Sequence, residues 1–354
     1  MGINTLKISV SGVRAIVGDT LTSELILNFA MAFSTYTGGG RIVLGRDTRV
    51  SGPMIRESVI GGLLVTGASV YDLGICPVPT VHIMVKELKA DGGIMITASH
   101  NPAEWNALKF INKDGIIFPE SFANELLDTY YAKKYRNVDN KNIKGIKHIK
   151  YSYEIHINKV LKYINKEKIK KRKFKVVIDS VNGAGSIIGP EFLRRLGIEV
   201  VEINTKPDGI FPHNPEPIKE NLHQLMEVVK KEKADMGFAQ DADADRLAVV
   251  DEKGEFIGEE MTLALAGMYA LIKYKTPFVT NLSSSSVLDY VAERNNVKIY
   301  RTKVGEANVV SKMMETGSIV GGEGGGGVIF GPVTFSRDSI SAMGLILSFL
   351  SEEN

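Results

Sequence analysis

One pattern recurs three times along these 354 residues, and it restricts the chain to few folds. The first copy runs RIVLGRDTR (41–49), a helical stretch from Pro53, Gly67, the strand VYDLG, a second helical stretch and ADGGIMITASHNP (90–102). The second runs FKVVIDSVNGAG (174–185), a helical stretch around Pro190–Leu196, IEVVEIN, a helix Leu222–Lys231 and ADMGFAQDADADR (234–246). The third runs PFVTNLSSSS (277–286), a helix Val287–Arg294, VKIYRT, a helix Ala307–Thr316 and SIVGGEGGGG (318–327). Short β-branched runs alternating with helical periodicity predict an α/β fold, here three tandem similar α/β domains with mixed, largely parallel sheets. In such sheets ligand chemistry gathers on loops beyond the carboxyl ends of strands. The three loops of odd composition all occupy that place, so they are expected to converge on one central cleft.

The repeats set the expected boundaries at 1–150, 151–254 and 255–354. Lys133–Tyr153 is polar, basic and irregular, a connection between the first two units, and Asp251–Glu255 (DEKGE) is a turn into the third. Met261–Ile272 and Ile340–Leu350 are apolar but too short to span a bilayer, so they are expected to be buried helices. The N-terminus lacks the basic and apolar regions of a secretory signal. Gly2 invites myristoylation, but Leu6 stands where that motif needs Ser or Thr. Lysine and arginine exceed aspartate and glutamate by only 43 to 41, which argues against a nucleic-acid partner. The basic run Lys166–Lys173 is isolated and without interleaved aromatics, as expected of a solvated helix face. The single cysteine, Cys76, permits neither an internal disulfide nor a thiolate metal cluster. A soluble, cytoplasmic protein without a membrane partner is expected.

QDADADR (240–246) places Asp241, Asp243 and Asp245 at alternate positions. Three carboxylates so close repel one another unless a cation lies among them, and hard oxygen ligands suit Mg²⁺ or Mn²⁺ rather than zinc. An EF-hand would put Glu252 at its twelfth position, but Arg246 stands where that loop needs glycine and LAVVD (247–251) reads as a strand. TASHNP (97–102) sets Ser99 beside His100. Neighbouring side chains on an extended segment point apart, so His100 is expected to be poorly placed as a base for Ser99. A serine that carries a phosphoryl group opposite a metal from the second repeat fits better. Arg14, Lys109, Arg246 and Lys303 lie near these loops, and such cations stabilise a transferring phosphoryl group. The glycines of GGEGGGG, Gly322 among them, let backbone approach a ligand, and Glu323 is suited to accept hydrogen bonds from sugar hydroxyls.

TASHNP, DADADR and a GGE loop on successive repeats resemble the α-D-phosphohexomutase family. The likeness extends to SVSGVRAIVG, GRDTR (45–49), GICPVPT (74–80) and PDGIFPHNPEP (207–217), and so to essentially the whole chain. The resemblance implies interconversion of hexose 1- and 6-phosphates through a phosphoserine and a bisphosphate intermediate. By position, Ser99 would be the phosphoserine and His100 a general acid/base. Asp241, Asp243 and Asp245 would hold one Mg²⁺ per chain together with a Ser99 phosphoryl oxygen. Arg14, Lys109 and Arg246 would neutralise the transferring group, with Lys109 also a candidate proton acceptor. Glu323, Gly322 and Lys303 would bind the sugar. A hexose 1,6-bisphosphate activator and a monomer or homodimer are expected.

Two departures stand out. Many relatives carry G-E-x-S-G-H in the sugar loop, whereas Gly325 and Gly327 replace its Ser and His. The closer likeness is to a G-E-G-N-G-G form of archaeal-type phosphoglucosamine mutases, which points to glucosamine phosphate. The family's fourth domain, with its R-x-S-G-T phosphate-gripping loop, has no counterpart in these residues. Phosphoglucomutase or phosphomannomutase activity is one alternative. An inactive phosphosugar-binding fragment needing the fourth domain is another, and a metal-dependent phosphatase a third.

Overall fold

The computed structural model describes residues 5–9, 12–118 and 120–352; Gly2, and Val10 and Ser11 of the N-terminal motif, lie outside them. The first sheet takes β1 (Lys7–Ser9), β2 (Gly12–Ile16), β3 (Arg41–Arg46), β4 (Ser69–Ile75), β5 (Gly92–Ile96), β6 (Trp105–Asn112) and β7 (Ile146–His148) in the order β1-β2-β6-β5-β3-β4-β7. The second takes β8 (Lys175–Asp179), β9 (Glu199–Ile203), β10 (Met236–Gln240) and β11 (Leu247–Val250) in the order β11-β10-β8-β9. The third takes β12 (Phe278–Asn281), β13 (Ile299–Thr302), β14 (Val320–Glu323), β15 (Gly327–Phe330) and β16 (Thr334–Arg337) in the order β13-β12-β14-β15-β16.

The repeat survives in space. Within each sheet the first three strands of a copy pair in parallel, with the first strand central, and a fourth turns back antiparallel on the third. That last hairpin creates the three functional loops: 97–104 between β5 and β6, 241–246 between β10 and β11, and 324–326 between β14 and β15. Each follows the carboxyl end of a parallel strand, where ligand chemistry gathers in such sheets.

Period-two alternation sorts the core of the first sheet. Ile42, Leu44, Ile94 and Ile96 face one apolar cluster with helices Ser23–Tyr36 and Gly52–Val65, while Val43 and Met95 face another with helix Val78–Glu87. The second and third sheets share a single core. Helix Ser339–Glu352 packs against helices Glu259–Tyr274 and Lys166–Arg172, and Gly344 lets it approach Ile164 and Phe192. The apolar segments 261–272 and 340–350 are thus parts of buried helices, and no helix among the described residues is long and apolar enough to cross a membrane.

The 133–153 segment departs from its expected irregularity: Ile146–His148 forms β7, the exposed edge of the first sheet beside β4. Three residues with a lysine and a histidine carry too little pattern to announce a strand. The 166–173 run folds as expected, a short helix whose Ile169 is buried while its lysines face out.

Where the units meet, a relay of polar groups is sealed from water. Thr80 Oγ1 lies 2.9 Å from His156 Nδ1, and His156 Nε2 lies 3.0 Å from Asp338 Oδ2, one residue from each unit and none exposed. Asp338 also accepts from the Ser341 hydroxyl and the Ile340 amide. Burial opposes the Asp338 charge, but His156 and these donors hold its carboxyl below the ordinary range.

Candidate active site

The loop after β5 begins with a backbone that glycine would ordinarily be needed to adopt. Ser99 has φ +52°, a left-handed conformation that costs a non-glycine residue of order 1–3 kcal/mol. Arg49, 1% exposed, holds it there. One guanidinium donates to the carbonyls of Ser99, Asn101 and Pro102, each at 2.7 Å, and to Asp47 Oδ2 at 3.0 Å. Thr97 completes the turn: its hydroxyl accepts the Ser99 amide at 2.9 Å and lies 2.8 Å from Asp47 Oδ2. GRDTR, silent about its role in sequence, is therefore the frame of the serine loop.

That left-handed turn corrects the expectation about His100. The segment is not extended at Ser99, so the neighbouring side chains meet, with Ser99 Oγ 3.3 Å from His100 Nδ1. Burial, helped by Arg246, pushes the imidazole down to about 4, so it is neutral near pH 7.

Ser99 Oγ donates to Asp241 Oδ2 at 2.7 Å, bridging first and second units. Asp241, Asp243 and Asp245 are all fully buried and offer ligand oxygens within 4.8 Å of one another; at that spacing two full charges repel by about 3.5 kcal/mol at an effective dielectric constant of ~20. Burial and its two neighbours accordingly push Asp241 well up. Burial alone would raise Asp243 too, but Lys109 Nζ, 2.8 Å from its Oδ2, overrides that and holds it low. Lys109 Nζ also stands 3.6 Å from Asp245 Oδ2, and the two carboxylates hold its ammonium above the ordinary range against the pull of burial. The geometry supports its role as a neutralising cation rather than as a proton acceptor.

The three carboxylates fit a hard divalent cation. Asp243 Oδ1 and Asp245 Oδ1 are buried with no hydrogen-bond partner, and such orphaned acceptors are costly unless something positive is bound to them. Oxygen donors without His or Cys suit Mg²⁺. β11 follows the loop directly, as the strand reading of LAVVD required.

A cavity of about 290 Å³ lies beside this group, lined by Ser99, His100, Lys109, Arg14 on β2 and Arg246. Lys7 and Arg337 line it as well. The metal loop is bonded to the other two: Thr97 Oγ1 donates to Asp243 Oδ2 at 3.2 Å and Ser99 Oγ to Asp241 Oδ2, while the Leu247 amide donates to Gly326 O at 3.0 Å.

The sugar-loop residues stand further off. Glu323 is bound on both oxygens, Oε1 by Asn281 Nδ2 and the Gly305 amide at 3.0 Å each, Oε2 by Arg337 Nη1 at 2.9 Å. The Gly322 carbonyl accepts from Thr280 Oγ1 at 3.0 Å, and a Cβ at Gly322 would lie 2.1 Å from Gly327 O. Lys303 is exposed on the loop after β13 and does not line the cavity.

Arg337 is the residue that sequence reasoning missed. It ends β16 and donates to Asp245 Oδ2 at 2.7 Å as well as to Glu323. No motif marks it, for its partners lie 92 and 14 residues away. A signal was nonetheless present in Gly327: a Cβ there would lie 2.3 Å from Arg337 Cδ, so the space of the missing His in the sugar-loop pattern is filled by the arginine stem.

Comparison with known proteins agrees with this geometry. Residues 5–137, 154–254 and 258–354 match the family descriptions phosphoglucomutase/phosphomannomutase, alpha/beta/alpha domains I, II and III in turn. The chain is 39% identical over 353 residues to a phosphoglucomutase/phosphomannomutase of Thermococcus kodakarensis, covering 96% of this chain and 76% of that one. It is 35% identical over 349 residues to a phosphoglucosamine/phosphogalactosamine mutase of Sulfurisphaera tokodaii, covering 97% and 77%. A crystal structure of a phosphoglucomutase/phosphomannomutase family protein from Burkholderia thailandensis superposes with a TM-score of 0.86 at 25% identity, covering 98% of this chain and 78% of that one. The chain thus spans about three quarters of the length of these relatives.

Proposed function

Because the chain belongs to the phosphoglucomutase/phosphomannomutase family and is a phosphohexomutase, we propose that it interconverts hexosamine 1- and 6-phosphates by passing a phosphoryl group through Ser99. The observation that carries this reading is the 2.7 Å hydrogen bond from Ser99 Oγ to Asp241, which sets the serine, in the wall of the cationic cavity, against the carboxylate trio buried behind it. The preference for glucosamine phosphate rests on the glycine-rich sugar loop and on the relative from Sulfurisphaera tokodaii named for phosphoglucosamine and phosphogalactosamine.

Asp241, Asp243 and Asp245 would hold Mg²⁺, which when bound supplies positive charge beside the phosphoryl group. The remaining work falls to side chains of this chain. Arg49 and Thr97 hold Ser99 in its turn. In the forward transfer a sugar hydroxyl oxygen bonds to phosphorus as the bond from phosphorus to Ser99 Oγ breaks, and the hydroxyl proton passes by way of neutral His100 to the departing Ser99 Oγ, which is left as a neutral hydroxyl. Arg14, Lys109 and Arg246 stabilise the negative charge on the oxygens in transit. The bisphosphate then turns over and returns its other phosphoryl group to Ser99, with the proton given back.

The same reading includes a hexose 1,6-bisphosphate activator that primes Ser99, one Mg²⁺ per chain, a cytoplasmic setting and a monomer or homodimer. Glu323, Gly322 and Lys303 take the sugar, and the three domains span 1–150, 151–254 and 255–354. Phosphorus NMR of the 354-residue chain with Mg²⁺, glucosamine 6-phosphate and catalytic glucose 1,6-bisphosphate tests it. Growth of a glucosamine 1-phosphate resonance, absent with Ser99→Ala, is expected; release of inorganic phosphate alone would replace the mutase reading with a phosphatase.

A further inference from the structure

Arg337 occupies a position that no loop motif explains. Its guanidinium is shared among three carboxylates, Nη2 on Asp245 of the metal loop, Nη1 on Glu323 of the sugar loop and Nε 3.4 Å from Glu306 Oε2. Its backbone amide is fixed by Glu306 Oε1 at 3.0 Å, and the next residue, Asp338, is anchored in the buried relay with Thr80 and His156. Gly327 leaves room for the arginine stem and for nothing else. The group is only 12% exposed, yet it lines the same cavity as Ser99.

We propose that Arg337 is a positioning residue that couples divalent-cation binding at the aspartate trio to binding of the anionic sugar phosphate. This rests on the functional reading above. The coupling follows from competition for a single guanidinium. A cation on the trio competes with Nη2 for the charge of Asp245 and releases Arg337 toward the cavity. An anionic phosphosugar in the cavity draws the guanidinium from Asp245 and leaves that carboxylate freer for the cation. Each ligand removes the obstacle to the other, so by linkage each tightens the other by the same factor. Asp245 Oδ1 accepts no hydrogen bond, with Arg246 Nε 4.0 Å away, and stays available to the cation throughout.

The test is calorimetric titration of the full chain with Mn²⁺, with and without saturating glucosamine 6-phosphate, and the reciprocal titration. The native chain is expected to gain about tenfold in Mn²⁺ affinity when the sugar phosphate is present. Arg337→Met should bind Mn²⁺ alone at least as tightly as the native chain, because a competing cation is gone, while the linkage factor falls to about one. General damage to the fold would instead weaken Mn²⁺ binding. Gly327→Ala, which keeps the arginine but crowds its stem, should also lose the linkage, and it answers the question if Arg337→Met does not fold. Full linkage in either variant, or none in the native chain although both ligands bind, overturns the inference. A native chain that binds no hexosamine phosphate overturns the functional reading as well.

Discussion

Replacing Arg49 by Met removes the frame of the serine loop in one step. The substitution leaves Asp47, which is fully buried, without its ion-pair partner, and leaves the carbonyls of Ser99, Asn101 and Pro102 without their donor. Stripping one partner from a buried ion pair costs about 3–5 kcal/mol. Relaxation offsets part of this, because Ser99 can then leave its left-handed turn and recover ~1–3 kcal/mol of backbone strain. That relaxation is what harms the chemistry. With the turn lost, Ser99 Oγ no longer sits 2.7 Å from Asp241, and a displacement of about 1 Å at a reacting group costs of order a hundredfold in rate. Urea unfolding should therefore show a net loss centred near about 2 kcal/mol, and time-resolved intact mass should show Ser99 phosphorylation slowed by about two orders of magnitude. Arg49→Lys should fall between, since an ammonium can keep Asp47 company but cannot fork to three carbonyls. A Met variant as stable as the native chain, phosphorylated at the native rate, would refute the reasoning.

Three further outcomes follow from the same geometry. Asp243→Asn should weaken Mn²⁺ binding by at least about tenfold in direct titration, because it removes charge from the trio at an oxygen that has no other partner. Lys109→Met should make thermal stability depend more steeply on Mg²⁺, since Asp243 and Asp245 lose the ammonium that neutralises them; cation at about a hundred times its Kd should then restore about 2.7 kcal/mol, read as the shift of the melting midpoint. Asp338 has a folded-state pKa below its ordinary 3.8, so it contributes stability at neutral pH that is lost as pH falls from that value through the folded one. Asp338→Asn should therefore be less stable than the native chain at pH 7 and converge toward it in urea titrations as the pH is taken down from 3.8.

Much of the architecture was legible because it repeats. Three copies of one hydrophobic pattern predicted three similar α/β units with largely parallel sheets, and the loops of odd composition fell on the same hairpin in each. The aspartates were legible because carboxylates at alternate positions need a cation wherever they are buried. What stayed hidden depended on contacts far apart in sequence or on backbone angles. The meeting of Ser99 and His100 hangs on a φ of +52°, which a serine does not advertise and Arg49 imposes from 50 residues away. Arg337 lies outside every loop and acquires its role only when β16 lies beside β15. β7 is three residues long, too brief for periodicity to register. Lys303, chosen for its neighbourhood in the chain, lies one residue past the end of β13 and is exposed.

The central claim is that Ser99, held against the aspartate trio, accepts and passes on a phosphoryl group. Intact mass after incubation of the 354-residue chain with Mg²⁺ and glucose 1,6-bisphosphate tests it most directly. The account predicts one added phosphoryl group on the native chain, lost on addition of excess hexosamine 6-phosphate and never gained by Ser99→Ala. A native chain that stays unmodified, or a Ser99→Ala chain that is modified equally, would contradict it.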